Sequence, residues 1–392
     1  MSTVKLIQGN STEVLKQYPD NHFDSIVTDP PYLIGFLGKD WDHSNNDLTE
    51  VFKECLRVLK PGGYLLSFSA ARTYHKLKTM IEDAGFEIRD QIMWLYASGF
   101  PKSQDVGKSI QRRKGVEEYE GFVDTTLNAG FGQTDHARVR TGVEWSTKNK
   151  SVGIPKVTDE EAKQWSGWGS SLKPAHEPIV MARKPLMQTI AKNCIQYGTG
   201  AINIDACRIP FDNNKPQAGS RTKTFGDSIG SSGITGGEQD EDWEANIKGR
   251  FPSNVIGEIE GYQKFFYCPK VSRKERHAGF DKIPYQNNST SGGMYGENQA
   301  VAKKNSSSEG NNHPTVKPVA LMNYLIKLVT QPGGTVLDPF NGSGSTGMAA
   351  VQDGFNYVGI DLDQNYVDIS IKRIAAWAEL SKDKNTFNDI FE

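Results

Sequence analysis

A chain of 392 residues with 45 Lys+Arg against 47 Asp+Glu has a formal charge of −2, which excludes a polycationic or polyanionic tail. Its 36% hydrophobic residues and 39 glycines suffice for a buried core, and the length suits two domains or one large domain carrying insertions. No window approaches the roughly 18 apolar residues of a membrane span, the opening Met1-Ser2-Thr3-Val4-Lys5 lacks an apolar signal core, and the four cysteines form no Cys-x-x-Cys pair, so the expectations are a cytoplasmic protein with no membrane partner, buried thiols and no metal site.

In chain order, the first hundred residues alternate strand and helix periods in the manner of βαβ units. Asn10 can cap a helix through Glu13, and Phe23 to Thr28 reads as a strand running into Asp29-Pro30-Pro31-Tyr32. A helix from about Leu48 sets Val51, Phe52, Cys55, Leu56 and Leu59 at helical spacing and is expected to end at Lys60-Pro61-Gly62-Gly63. A strand from Tyr64 to Phe68, a helix from about Thr73 to Ala84 stopped by Gly85, and strand signal from Phe86 to Leu95 follow. Between about Gly99 and Gly169 the periodicity fades, apart from one short helix at Val106 to Arg113. Strand signal returns at Pro178 to Ala182, and residues 186 to about 312 read as a separate irregular module with short aromatic runs such as Phe265-Phe266-Tyr267.

The α/β pattern resumes at His313-Pro314, with Pro318 in the first turn of a helix carrying Leu321, Leu325, Leu328 and Val329. A strand from Thr335 to Leu337 leads into Asp338-Pro339-Phe340-Asn341-Gly342-Ser343-Gly344-Ser345-Thr346-Gly347, with a helix beginning near Thr346. The strand Tyr357 to Ile360 ends in Asp361, and the last helix is expected to bury Val367, Ile371, Ile374 and Ala378 on one face.

Two motifs carry chemistry. The segment from Gly342 to Gly347 matches G-x-G-x-x-G after a strand, and Asp361 closes the next strand. Bare glycine backbone lets a nucleoside cofactor approach, and a carboxylate in that place accepts from ribose hydroxyls. These glycines alone do not separate nicotinamide cofactors from S-adenosylmethionine (AdoMet), because both carry an adenosine ribose. Asp29-Pro30-Pro31-Tyr32 does separate them. A carboxylate and the Pro30 carbonyl at the carboxyl edge of the sheet are two acceptors for a planar exocyclic amine, with Tyr32 placed to stack on its ring. No hydride-transfer site accompanies the glycine loop, as a dehydrogenase would require.

These residues resemble the amino-group DNA methyltransferases, whose signatures are [DNS]-P-P-[YFW] and a glycine-rich AdoMet loop. The order, with D-P-P-Y first and the AdoMet loop near the C-terminus, resembles the β-group. Lys60-Pro61-Gly62-Gly63-Tyr64, Trp94-Leu95-Tyr96, Ala175-His176-Glu177-Pro178-Ile179 and His313-Pro314-Thr315-Val316-Lys317-Pro318 also match, so the resemblance covers about half of the chain. Many relatives have Gly-Asp after the first strand where this chain has Gly9-Asn10, which leaves helix capping and adenine contact both open for Asn10.

The resemblance implies an α/β fold built on a Rossmann-like AdoMet-dependent methyltransferase sheet, circularly permuted, with an irregular inserted target-recognition region. The implied divisions are a catalytic half at 1–105, an insertion or active-site loop at 106–165, a catalytic-domain strand at 166–185, target recognition at 186–312 and an AdoMet-binding half at 313–392. Asp29, Pro30, Pro31 and Tyr32 would be catalytic. Asp338, Phe340, Asn341, Gly342, Ser343, Gly344, Ser345, Thr346 and Asp361 would hold AdoMet, and His313, Thr315 and Lys317 would line its methionine end.

The implied reaction is site-specific methylation of adenine N6 in double-stranded DNA, with cytosine N4 as the alternative and a non-catalytic AdoMet- or DNA-binding protein as a remote one. D-P-P-Y is the commoner adenine form and S-P-P-Y the commoner cytosine form. The target amine lies inside the duplex stack, so its base must be flipped out. Residues 262 to 310 hold eight basic against four acidic side chains, which places phosphate contact at Arg273, Lys274 and Arg276. A bacterial or phage source is implied, and a homodimer and a separate restriction endonuclease are partners the sequence leaves open.

Overall fold

Continuous apolar runs, too short for helices, build a central sheet. In the computed structural model, which describes residues 2–35, 40–96, 103–116, 119–124, 151–210, 249–257, 270–280 and 310–382, every residue of β2 (Phe23–Thr28) is buried. A strand covered on both faces has no reason to alternate with polar residues, and its run of apolar and small side chains follows. The first strands are β1 (Val4–Gln8), β2, β3 (Leu59–Phe68) and β4 (Glu87–Leu95), with helices α1 (Ser11–Leu15), α2 (Thr49–Val58) and α3 (Tyr74–Asp83) between them. Then come α4 (Val106–Arg113), β5 (Tyr119–Asp124), β6 (Ser151–Pro155), α5 (Glu160–Gln164), β7 (His176–Arg183), α6 (Ile190–Tyr197), β8 (Val255–Gly257) and α7 (Arg273–Arg276). The chain closes with α8 (Val319–Val329), β9 (Thr335–Asp338), α9 (Ser345–Gln352), β10 (Asn356–Asp361) and α10 (Gln364–Leu380).

The chain divides into two compact units, one of residues 1–97, 176–281 and 311–392, the other of residues 98–175 and 282–310. The first unit contains an eight-stranded sheet in the order β1-β10-β9-β2-β3-β7-β4-β8. All its pairings are parallel except those of β7, which runs antiparallel to β3 and β4, with Leu95 opposite His176. Strands from the two ends of the chain meet at its centre, where Ile26 of β2 pairs with Leu337 of β9. Ile26 and Leu65 pack with α1, α2 and α3 on one face, and Val27 and Leu66 pack with α8, α9 and α10 on the other. The expected α/β sheet is therefore present, and it is one sheet shared by both chain ends.

In the second unit, α4 and α5 start on the caps Asp105 and Asp159, which accept from the amides of Lys108 and Ala162. Buried Gln111 ties the two together by accepting from the amide of Thr158 at 2.6 Å. The helix expected at Val106 to Arg113 is α4, and α5 with the antiparallel pair β5–β6 adds structure where only loop was read.

Three expectations differ. Lys60-Pro61-Gly62-Gly63 does not end α2, which stops at Val58, because β3 begins at once. This stretch is an irregular strand start, with Gly62 at φ 79° and a register shift against β2. On α10 the buried residues are Val367, Ile369, Ser370, Arg373, Ile374 and Trp377, whereas Ile371 is exposed. The described part of 186–312 is not wholly irregular either: α6, β8 and α7 fall in it, and the described residues from 186 to 280 belong to the unit of the main sheet. Cys268 and the run Phe265-Phe266-Tyr267 lie outside the described residues. Among the described residues no helix is long and apolar enough to cross a membrane.

Candidate active site

The carboxyl edge of the parallel strands carries the D-P-P-Y segment. Asp29 follows β2 directly, Pro30 is buried, and the chain turns at Leu33, whose φ of 58° is rare for a branched residue. Such backbone persists only when its surroundings hold it. Asp42, 1% exposed, does so: its carboxylate accepts from the amides of Leu33 at 2.7 Å and Ile34 at 3.3 Å. The Thr73 hydroxyl donates to the Tyr32 carbonyl at 2.6 Å, fixing the same turn from α3.

Against this segment lie a lysine and a second carboxylate. Lys317 Nζ donates to Asp29 Oδ2 at 2.6 Å and to Tyr32 Oη at 2.9 Å, and stands 3.3 Å from Glu177 Oε2. Tyr32 Oη in turn donates to Glu177 Oε2 at 2.8 Å. Glu177 reaches the site because β7 is reversed, so that its amino end lies at the edge where its neighbours have carboxyl ends. Asp29 Oδ1 is buried and has no hydrogen-bond partner among the described residues. Burial pushes the Asp29 carboxyl above its ordinary range, with the Lys317 ammonium opposing. Burial also raises the Tyr32 phenol, as do the two carboxylates beside it, so it stays protonated.

The glycine loop leaves β9 and enters α9. Asp338 is spent within the protein: Oδ1 accepts from the Thr28 hydroxyl at 2.6 Å and the Phe340 amide at 3.1 Å, and Oδ2 from the Thr346 hydroxyl at 2.6 Å. Burial raises its carboxyl to about 6 despite these donors. Asn341 accepts from the Tyr357 hydroxyl, and Gly342 donates its amide to Asp361 Oδ2 at 2.7 Å. Asp361 Oδ1 takes the amide of Asp363 at 2.9 Å, and a carboxylate with about four acceptor sites keeps capacity for hydroxyls after two bonds. Gly342 and Gly344 hold φ values of 51° and 81°, which favour glycine. A Cβ at Gly344 would stand 2.7 Å from Ser370 Cβ, and one at Gly342 would stand 2.9 Å from His313 Nε2. Glycine is therefore required at both positions by the protein's own packing.

His313 packs edge-on against Tyr366 with ring centroids 4.5 Å apart, and its Nδ1 bonds the Thr315 carbonyl. Burial pushes it down to about 4, so the ring is neutral. The loop is further anchored by Arg373 of α10, fully buried, which donates to the carbonyl and hydroxyl of Ser343. Arg373 also donates to the carbonyl of Glu275, at 3.2 Å.

Of the three basic residues assigned to DNA, Arg273 and Lys274 are exposed on α7. Arg276 is half-buried and donates to the His313 carbonyl at 2.9 Å, so it braces the loop edge instead of offering its charge outward. Asn10 accepts from the Thr12 amide at 3.0 Å and caps α1.

Sequence reasoning brought Asp29, Tyr32 and the glycine loop to one sheet edge. It missed Asp42 and Arg373, and it quoted Glu177 only as part of a strand opening. Lys317, expected beside the cofactor's methionine end, is bonded on the D-P-P-Y side. An acid at the first residues of a reversed strand is a signal that could have drawn attention to Glu177. Among the described residues no group of His, Cys, Asp and Glu could hold a metal ion.

Acceptors at the carboxyl edge of the sheet thus lie beside a strand–glycine-loop–helix turn. A family model described as DNA methylase of the N6/N4 type matches residues 23–372, and the chain belongs to that family. It is 41% identical over 66 residues to the DNA adenine methyltransferase YhdJ of Escherichia coli (strain K12), a stretch covering 17% of this chain and 22% of that protein. It is 33% identical over 110 residues to the type II methyltransferase M.HpaI of Haemophilus parainfluenzae, covering 26% and 34%. The matched stretches thus span about a fifth to a third of these curated relatives. Among solved structures, the cytosine-N4-specific PvuII DNA methyltransferase aligns with a TM-score of 0.44 at 14% identity, covering 100% of this chain and 93% of that one.

Proposed function

We propose that this chain transfers a methyl group from AdoMet to the exocyclic N6 of an adenine flipped out of double-stranded DNA. The observation that carries the proposal is Asp29 Oδ1, a buried acceptor with no hydrogen-bond partner among the described residues, on a carboxylate whose other oxygen is already held. An exocyclic amine is a poor nucleophile because its lone pair is delocalised into the ring. Asp29 Oδ1 and the Pro30 carbonyl accept its two N–H groups and favour a more tetrahedral nitrogen. Tyr32 supplies the stacking face, worth about 1–3 kcal/mol for a base on an aromatic ring.

When bound, AdoMet supplies an activated methyl on a sulfonium. On the protein side, Asp361 is placed to accept from the ribose hydroxyls and the turn from Asn341 to Gly344 to take the cofactor against its backbone. His313 and Thr315 form the adjoining wall. Arg273 and Lys274 pair with phosphates, and their joint neutralisation is expected to lower the log–log salt slope of DNA binding by about 0.9 for each phosphate no longer neutralised.

Sequencing DNA from cells that express the protein, with detection of modified bases, tests the reading. N6-methyladenine at a defined sequence is expected. N4-methylcytosine would overturn the base assignment, and unmodified DNA would overturn the reaction. Asp at the head of the motif, as in the commoner adenine form, supports adenine.

A further inference from the structure

The proposed reaction uses Asp29 and Tyr32 but gives no reason for a lysine and a second acid to be buried against them. Lys317 is 6% exposed in its side chain, and burying an ammonium with two carboxylates is costly unless every charge is well paired. The lysine is well paired: of its three donors two are hydrogen-bonded, to Asp29 Oδ2 and Tyr32 Oη, and Glu177 Oε2 lies in ion-pair range at 3.3 Å. The Tyr32 hydroxyl is likewise used twice, accepting from Lys317 and donating to Glu177. Lys317, from the turn before α8, thus holds both groups that would touch the target base, and Glu177, from β7, holds the Tyr32 hydroxyl. Holding Asp29 Oδ2 leaves Oδ1 as the free acceptor.

We infer that Lys317 and Glu177 are positioning residues for methyl transfer: Lys317 holds Asp29 ionised and turned with Oδ1 toward the target amine, and the two together fix the Tyr32 ring. This rests on the methyltransferase reading above. Two carboxylates and one ammonium leave the cluster a single negative charge, opposite to the positive charge that moves from sulfur toward nitrogen during transfer. The charged groups that face Asp29 are Lys317, Glu177 and Asp338 on the neighbouring strand, with the Tyr32 phenol beside it; Lys270 acts on Glu177. Burial alone would raise both acids, but Lys317 and the Tyr32 hydroxyl leave Glu177 below its ordinary range, while burial lowers and the two acids raise Lys317 for a net increase.

The test is the pH profile of single-turnover transfer to duplex DNA at saturating AdoMet, with AdoMet affinity measured by calorimetry. Lys317→Met leaves two acids facing each other without their cation. Its rate at pH 7 is expected to fall about 10²-fold and its acid limb to move up by about 1–3 pH units. Glu177→Gln removes a like charge from Asp29, so its acid limb moves down and its rate falls less. AdoMet affinity should stay within about threefold in both. Acid limbs that do not move, or AdoMet affinity that weakens in step with the rate, would overturn the inference and return Lys317 to the cofactor pocket. If Lys317→Met does not fold, Glu177→Gln decides alone, and an acid limb that stays or rises overturns it. A wild-type protein that transfers no methyl group would refute the reaction itself, and the inference with it.

Discussion

Asp29 and Asp338 close neighbouring strands of one sheet, and the protein treats them in opposite ways. Asp338 receives two hydroxyls and an amide and knits β2, β9 and α9 together. Asp29 receives one ammonium and keeps an oxygen bare. Both carboxyls are raised by burial, so the perturbed acidity does not tell them apart. The count of used lone pairs does. A carboxylate saturated by its own fold is structural, and one left with an open acceptor in a covered place is ready for a ligand.

The widest separation of the two acids comes from truncating each. Asp29→Ala is expected to lower methyl transfer by about 10³-fold or more, the scale of a positioned group in a transition state, with AdoMet affinity close to wild type. Asp338→Ala should instead cost about 3 kcal/mol of stability in denaturant unfolding, since it strands buried donors. Asp29→Ala with normal transfer would break the comparison at once.

Gly344→Ala sharpens it from the loop side. Left-handed backbone and the approach to Ser370 Cβ predict a loss of roughly 2–3 kcal/mol. Gly354→Ala, with φ 79° and no atom within 4 Å of the added carbon, should lose only about 1 kcal/mol, and equal losses in the two would mean that the close approach to α10 is unimportant. Asp42→Ala frees the strained turn after Tyr32 and is expected to reduce kcat about tenfold with AdoMet affinity unchanged, because a displacement of an ångström can cost more than that.

The smallest effect is on pH. His313 is pushed down to about 4 when folded, from an ordinary value near 6.5, so the unfolded chain binds the proton first as pH falls. Its stability contribution is therefore full above about 6.5 and is lost toward 4. Between pH 7 and pH 6 wild type should lose about 0.7 kcal/mol more than His313→Gln in parallel unfolding curves.

Local pattern carried much of this architecture. The apolar runs of β2, β3 and β9 and the periods of α2, α3 and α8 are legible because both faces of the sheet are covered, and Asp29 and the glycine loop announce themselves by adjacency in sequence. Lys317 and Asp29 meet across 288 positions, and Glu177 and Tyr32 across 145, so neither bond leaves a trace in local spacing. Arg373 stands on an apolar helix face, where periodicity favoured Ile371 for burial, and its hydrogen bonds to Ser343 and Glu275 override that preference. Arg276 shows the converse, a residue that reads as a phosphate contact and is half-buried in a brace.

The reversed strand β7 has one more consequence, for how such a chain can change over generations. The backbone leaves the sheet after Leu95 and returns at His176, and those two residues are paired neighbours. The two ends of the intervening segment are thus pinned side by side. Lengthening a loop between fixed ends costs only about 0.6 kcal/mol for each doubling, so this junction tolerates exchange of one insert for another while the strands on either side keep their register.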